Sequence, residues 1–529
     1  MLRVCLYQLS MITVDPNVVG LEPDSFERNL PDFLTQAVPP EELRELAGSS
    51  EGAPTRCALS KLGMMLLQFR YDLSERELLR RCQRDLGFRY ALGLEAGQKP
   101  PSGRTYRRFR DHVTTVMGED YLLRLSLRAA VSEGLLEDVE LQAVDSTNTD
   151  CRGAIIDTFN LVAAGIGQVL RQVSLCLGVR AEEMARRWDL SRYLARGIKG
   201  AAGIDWSDEQ QRNALLTQEI RDADRVAERV RELQQQMGLP RQVEEAVELL
   251  AQVARQDVEE LEDGTFRIAK GTASGRIISI TDPEARHGRK SAAKTIKGFK
   301  THVAGTIESQ FVTGIAITDA ATHDAQPTQA LIAQTEANRV KPAEMVGDNA
   351  YGAGANIRAS HEVGVEMHTK ASCPSRRGAL PKQDFDIDLG QMKVTCPAGQ
   401  STQTYSLVKY DKGEERVPKF HFAQDDCQAC ELKGICCEAT AKGGHRSIRL
   451  NPFEPELQQN RAFAQTPRGR EVLRSRSAVE RLISHLVRMG MRHARFFTMK
   501  RVQFQAFMVG AAYNLQRLFT LRATAATAR

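Results

Sequence analysis

The chain has 529 residues, room for roughly three or four domains with cores of their own, which excludes a disulfide-stapled mini-protein. Lys and Arg number 72 against 67 Asp and Glu, a net charge of +5, too small to advertise a polyanion partner unless the charge is unevenly placed. No run reaches the ~18 uninterrupted apolar residues of a membrane span. The first residues, MLRVCLYQLSMITVDP, lack the sustained apolar stretch of a secretory leader, so the eleven cysteines are expected in a reducing, cytoplasmic setting.

Residues 1–137 read as a helical domain, with apolar positions at helical spacing in ALSKLGMMLLQFRYDL and YLLRLSLRAAVSEGLL. Ser74 followed by Glu77 forms a capping box at the start of one of its helices. After the Pro-Pro-Ser-Gly break at 100–103, RTYRRFRDHV gathers Arg104, Arg107, Arg108 and Arg110 around Tyr106 and Phe109, a candidate helix for contacting nucleic-acid phosphates, or else a solvated face. At 138–152 the period shortens to that of a strand, VELQAVDST, ending at Asp145. Residues 153–262 then lose strand character, and two charged amphipathic segments flanking Gly238, Leu239 and Pro240 predict a helical hairpin. Strands return over 263–372 in GRIISITD, GFKTHVAGTIES, FVTGIAITDA and PAEMVGDNAYG, with a helix at QPTQALIAQTEAN. Residues 373–454 read as an irregular, Cys-containing insertion, and 455–529 as helices that complete the core, RSRSAVERLISHLVRMGMRHARFF among them. Arginines crowd this last segment.

Three acids stand out by position. Asp145 and Asp348 close strands, and carboxylates at strand ends project into the crevice of an open α/β sheet. Glu480 lies within an apolar-faced helix among arginines. Two aspartates and a glutamate are hard oxygen ligands suited to Mg²⁺ or Mn²⁺, and the chemistry they support is phosphoryl transfer. In the insertion, Cys427-x2-Cys430 with Cys396 and either Cys436 or Cys437 has the make-up of a structural zinc site, with His421 and His445 as alternative nitrogen ligands; reduced thiols packed in a loop-rich segment are the other reading.

The phrases AVDSTN, TDPEARHGRKS, GFKTHVA, ITDAATHDAQ, VGDNAYG and RSAVERLISHLVR, in this order, resemble bacterial insertion-sequence transposases of the DDE superfamily, in particular the group numbered eleven eighty-two. The amino-terminal RYDLSERELLRRCQRDLGFRYALGL and PPSGRTYRRFRDH resemble the helical domain that precedes their catalytic core. The resemblance implies an α/β chain with a ribonuclease H-like core, a helical DNA-binding domain before it, and Asp145, Asp348 and Glu480 as the metal-binding triad. Against the family's Tyr-x2-Arg-x3-Glu-x6-Lys signature, Arg476 and Glu480 match, Leu473 and Val487 replace the tyrosine and lysine, and Arg488 stands one residue beyond. Glu471 is the competing acid, without an arginine four residues before it. Arg286, Arg289 and Lys290 are implied phosphate contacts beside the site; His323 and Asp324 are expected to hold a strand-to-helix turn. The implied partners are the element's terminal inverted repeats and target DNA, met by a homodimer in a bacterial cytoplasm, with no membrane. The alternatives are a metal-dependent nuclease that cuts without joining and a non-catalytic DNA-binding derivative.

Overall fold

Apolar residues repeating every third and fourth position build the amino-terminal helices α1 (Phe26–Ala37), α2 (Pro40–Ala47), α3 (Ala58–Arg70), α4 (Glu75–Arg84), α5 (Leu86–Ala91), α6 (Gly103–Val116) and α7 (Tyr121–Ser132). They are seen in a computed structural model, which describes residues 16–17, 19–47, 58–95, 98–136, 140–195, 197–289, 295–370, 380–410, 415–437 and 444–527. α3 is buried nearly all round and is the axis of this group. Ser74 accepts the Glu77 N–H at 3.2 Å, one half of the expected capping box. The other half is missing because the Glu77 carboxylate turns to Arg80 at 2.7 Å.

β1 (Gln142–Asp150) enters the central sheet, and the chain leaves it for α8 (Thr158–Leu177), α9 (Ala181–Arg187), α10 (Ile198–Ala201), α11 (Glu209–Met237) and α12 (Arg241–Arg255). α11 and α12 are the expected hairpin, turned at Gly238 and Pro240. α8 has the length and composition to cross a membrane, but its apolar residues, from Phe159 to Val173, make the core of this insertion together with Ile220, Val226, Leu250 and Val253. A short hairpin, β2 (Val258–Glu260) and β3 (Phe266–Ile268), closes the insertion.

The sheet resumes with β4 (Arg286–Arg289), β5 (Thr295–Thr306) and β6 (Val312–Asp319), then α13 (Thr328–Ala337), β7 (Glu344–Gly347), α14 (Gly354–Glu362) and β8 (Glu366–Thr369). Its order is β4-β5-β1-β7-β8, with β6 also on β5. β5 runs antiparallel to β1, β4 and β6, whereas β1, β7 and β8 are parallel. Alternation along β1 sends Ala143 to one core, shared with the amino-terminal helices, and Val144 to another, beneath α13 and α14. The strand expected at GRIISITD is absent: Ile277 makes only an isolated bridge to Arg286. Ile277 and Ile280 serve the insertion's core and Ile278 serves the sheet's, so this segment is a seam between two cores.

The Cys-containing segment, expected to be irregular, carries two small antiparallel sheets. β9 (Asp386–Asp388), β10 (Lys393–Thr395) and β11 (Ser401–Thr402) make one; β12 (Tyr405–Lys409), β13 (Arg416–His421) and β14 (Ser447–Arg449) make the other. Most of these strands have two or three residues, too few to display a period of two in the sequence. Two short helices, α15 (Gln424–Gln428) and α16 (Lys433–Cys436), lie between β13 and β14.

The carboxyl-terminal region is four helices: α17 (Glu454–Gln465), α18 (Pro467–Ser475), α19 (Ser477–Leu486) and α20 (Met499–Thr527). The single helix expected over RSRSAVERLISHLVRMGMRHARFF therefore ends early. After α19 the chain makes a wide turn over Val487–Met491, where Gly490 has φ +92° and a Cβ would collide with the Asp72 carboxylate. Only glycine suits both the left-handed backbone and that approach. α20 covers the outer edge of β6: Gln503 accepts the Ile317 N–H at 2.7 Å and Asn514 accepts the Val312 N–H at 2.8 Å. A strand edge that would otherwise offer unpaired groups is thereby closed.

Candidate active site

Parallel pairing of β1 with β7 stops at Val144 opposite Gly347, and the next residue on each chain is an acid. Asp145 does not end its strand, as expected, because β5 continues beside β1 to Asp150; it sits where β7 departs. Asp348 follows β7 and caps a turn at Asn349–Tyr351, accepting the Ala350 N–H at 2.9 Å. Glu480 approaches from the first turn of α19 rather than from mid-helix. Arg476, at the junction of α18 and α19, donates to Asp145 Oδ2 at 3.0 Å and to Glu480 Oε1 at 2.5 Å. The Asp145 carboxyl lies above the usual aspartate range: burial raises it, the Ser146 N–H lowers it, Asp348 raises it, Arg476 lowers it and Glu480 raises it. Asp348 and Glu480 thus act electrostatically on Asp145, and one guanidinium joins Asp145 to Glu480. Glu471 is exposed on α18.

Among the described residues no three Asp, Glu, His or Cys side chains converge closely enough to hold a metal ion. At the acids, the Arg476 guanidinium lies between Asp145 and Glu480. A cation of this chain bridges two of the three carboxylates, and carboxylate oxygens are hard donors of the kind that suits Mg²⁺ or Mn²⁺.

The opposite face of β1 holds residues whose roles sequence reasoning missed. The Ser146 hydroxyl donates to Asp324 at 3.0 Å, and Lys300 donates to the other Asp324 oxygen at 2.6 Å. Burial raises the Asp324 carboxyl, but Lys300 and Ser146 more than offset it and hold it below the usual range. Asp324 therefore ties its turn to β1 beside Asp145, a longer reach than the local turn expected of it; His323 does remain local, accepting the Ala325 N–H at 3.3 Å. Tyr351 lies buried below, its phenol raised well above its ordinary range by burial and by Asp324, Asp145 and Asp348. It pairs with His302, which burial pulls down to about 4. Both are neutral near pH 7. The phrases GFKTHVA and ITDAATHDAQ held the signal for Lys300, His302 and Asp324.

The expected phosphate contacts fare differently. On α6, Arg104 and Arg108 are exposed, Arg107 is exposed but paired with Glu75, and Arg110 is mostly covered and lies over the Phe496 ring at 5.5 Å. Tyr106 and Phe109 are buried, with the Tyr106 hydroxyl on Gln68 at 2.5 Å. Arg286 folds back on the Ala285 carbonyl at 2.9 Å, and Arg289 is exposed at the end of β4. Lys290 lies outside the described residues. Arg488 is exposed beside His485 at 2.9 Å. Other arginines of this region are structural: Arg492 donates to Asn148 and Arg495 to Asp72 and the Leu73 carbonyl. In TDPEARHGRKS the acids cap the start of α20, Asp282 accepting the Thr498 N–H at 3.2 Å and Glu284 that of Met499 at 2.5 Å. Cys396, Cys427, Cys430 and Cys436 lie together in the second insertion, between Asp348 and Glu480 along the chain.

Two families match this chain. Residues 395–519 match the transposase DDE domain, a span that includes the second insertion from β11 onward, Glu480 and most of α20. Residues 21–112 match a transposase domain (DUF772), which takes in α1 to α5 and most of α6. Both ends of the chain are therefore transposase-like, and together with the order of the motifs they make it similar to insertion-sequence transposases of the DDE type. Asp145 and Asp348 fall between the two matched spans. No curated protein and no solved structure matches the chain.

Proposed function

We propose that this chain is a DNA transposase, of the group numbered eleven eighty-two, that cuts the ends of its own element and joins them to target DNA as a homodimer. The observation that carries this reading is the meeting of Asp145 and Asp348, one residue past the last parallel pair of adjacent strands, with Glu480 across Arg476. The sheet order, with antiparallel β6, β5 and β1 followed by parallel β7 and β8, supports a ribonuclease H-like core. Asp145, Asp348 and Glu480 would hold the divalent ions, which when bound supply an activated water or 3′-hydroxyl and stabilise the leaving oxygen. Tyr351 and His302 give the acids a neutral floor, while Ser146, Asp324 and Lys300 fix β1 beneath Asp145. Arg104, Arg108, Arg289 and Arg488 are exposed cations for backbone phosphates, and Arg476, once it leaves the acids, becomes another.

The test is cleavage and joining of duplexes bearing the element's native ends, in Mg²⁺ and in Mn²⁺. Cleaved 3′ ends and joined products are expected from the wild-type chain and from Glu471→Gln, and neither from Glu480→Gln. Cleavage without joined products assigns the chain as a nuclease. Full activity of Glu480→Gln removes the third acid from the triad.

A further inference from the structure

Five cysteines from three stretches of chain come together in the second insertion. Cys396 follows β10, Cys427 and Cys430 flank the end of α15, and Cys436 and Cys437 end α16, yet all five border one cavity of about 30 Å³. None is in a disulfide. That space is large enough for a small occupant, since about 10–15 Å³ of such volume already holds a water. Two further features resemble the surroundings of a bound metal. The Arg446 N–H donates to the Cys427 sulfur at 3.5 Å, the kind of outer contact that stabilises a thiolate. The Arg446 guanidinium, anchored on the Cys436 carbonyl at 3.0 Å and the Leu380 carbonyl at 2.7 Å, brings positive charge to the same wall.

We infer that Cys396, Cys427, Cys430 and Cys436 bind one structural Zn²⁺ through four thiolates, with Arg446 offsetting part of the negative charge of the centre. In the described conformation the sulfurs border the cavity without reaching ligand distance of a common point; the ion draws them inward, and each thiol that becomes a ligand releases its proton to solvent. Energetics favour such an ion. Among the described residues the buried apolar core here is small, Phe385, Ile387, Val394, Phe420, Phe422, Cys436, Ile448 and Leu450, and its strands are short. A segment of this kind lacks the burial to fold firmly alone, and a structural zinc contributes the missing free energy directly. The benefit extends to the next helices, because Lys382 pairs with Glu454 and Gln458 donates to the Ile387 carbonyl at 2.9 Å, docking α17 on this segment ahead of α19.

The experiment is zinc analysis of the full chain purified without chelator. About one equivalent is expected in the wild type and in Cys176→Ser, whose residue is exposed on α8, and a loss of most of it in Cys396→Ser and Cys430→Ser. Should the variants fail to fold, cobalt exchange into the wild-type chain gives the same answer: intense visible bands of tetrahedral cobalt with thiolate charge transfer are expected. Wild-type chain that carries no zinc and gives no such spectrum overturns the inference, as does a full equivalent retained by folded Cys430→Ser. Because zinc content is read without DNA, the result stands apart from the fate of the transposase reading.

Discussion

The two sides of the acid basin are built differently. On the sheet side, Asp145 and Asp348 leave strands paired in register, and Ser146, Asp324 and Lys300 brace β1 from behind. On the helix side, the Glu480 carboxylate is about half exposed, and a single guanidinium links it to the sheet. The sheet side is rigid and electrostatically crowded; the helix side is open and held by a contact that can exchange. On the proposed reading, the first two acids would define the place of reaction, and the third would complete it when α19 is correctly seated.

The strongest way to break this comparison is Asp145→Asn. Cleavage should fall at least ~10³-fold, the upper end for loss of one electrostatic group, with end binding retained. Stability should move the other way. The folded chain holds the Asp145 proton more tightly than the unfolded chain, so the ionised group costs stability as pH rises through its raised value. Ion-free Asp145→Asn should therefore melt higher than wild type at neutral pH, the difference fading below the ordinary aspartate pKa, as thermal melts across pH will reveal.

Removing the brace has a smaller expected effect. Lys300→Met leaves Asp324 half-buried without its ammonium and should slow cleavage about 10- to 100-fold at unchanged affinity for the ends, as for other residues one shell away from a reacting group. Single-turnover rates alongside binding isotherms would distinguish this from a general folding defect, which would lower both. Gly490→Ala tests the seating of α19: strain and the collision with Asp72 should cost about 1–3 kcal/mol in denaturant unfolding. An unchanged midpoint would mean that the turn relaxes freely.

Arg476→Ala sharpens the contrast on the helix side. With its guanidinium gone, DNA-free chain should bind Mn²⁺ about fivefold more tightly, equivalent to ~1 kcal/mol for a partly exposed pair, by titration calorimetry. Weaker ion binding would show that Arg476 supports the basin and does not compete for it. The smallest effects are expected on α6, where Arg104→Ala and Arg108→Ala should each flatten the slope of log affinity against log salt by about one unit, and Arg107→Ala, already paired with Glu75, by less.

Much of this architecture is legible in the chain. The aspartate that follows β7, the helical hairpin and the arginine four residues before Glu480 all depend on local spacing, and β7, α11, α12 and α19 carry them, whereas Asp145 lies inside β1 and not at its end. What escapes local reading depends on partners far apart. Ser146 meets Asp324 across 178 residues, and Arg476 meets Asp145 across 331. An arginine in a basic helix reads as a phosphate contact until a buried carboxylate is found opposite it. For the same reason the seam at Ile277–Ile280 reads as a strand: its apolar residues serve two cores, and only the fold reveals which neighbour each one takes.

α20 has a consequence for the order in which the molecule is made. The insertion α8–α12 closes its core from one nearly continuous stretch and can consolidate while synthesis goes on. The amino-terminal helices share their core with the end of the chain. Phe26 and Phe33 set their rings against Phe519, Phe69 against Phe504, and Arg70 reaches Gln516, so the first helices to emerge wait for nearly the last. A nascent or shortened chain lacking α20 is left with exposed apolar helices and an open edge on β6, fit for chaperones or proteases. On the proposed reading, a chain that ends before α20 would make no stable competitor for the element's ends.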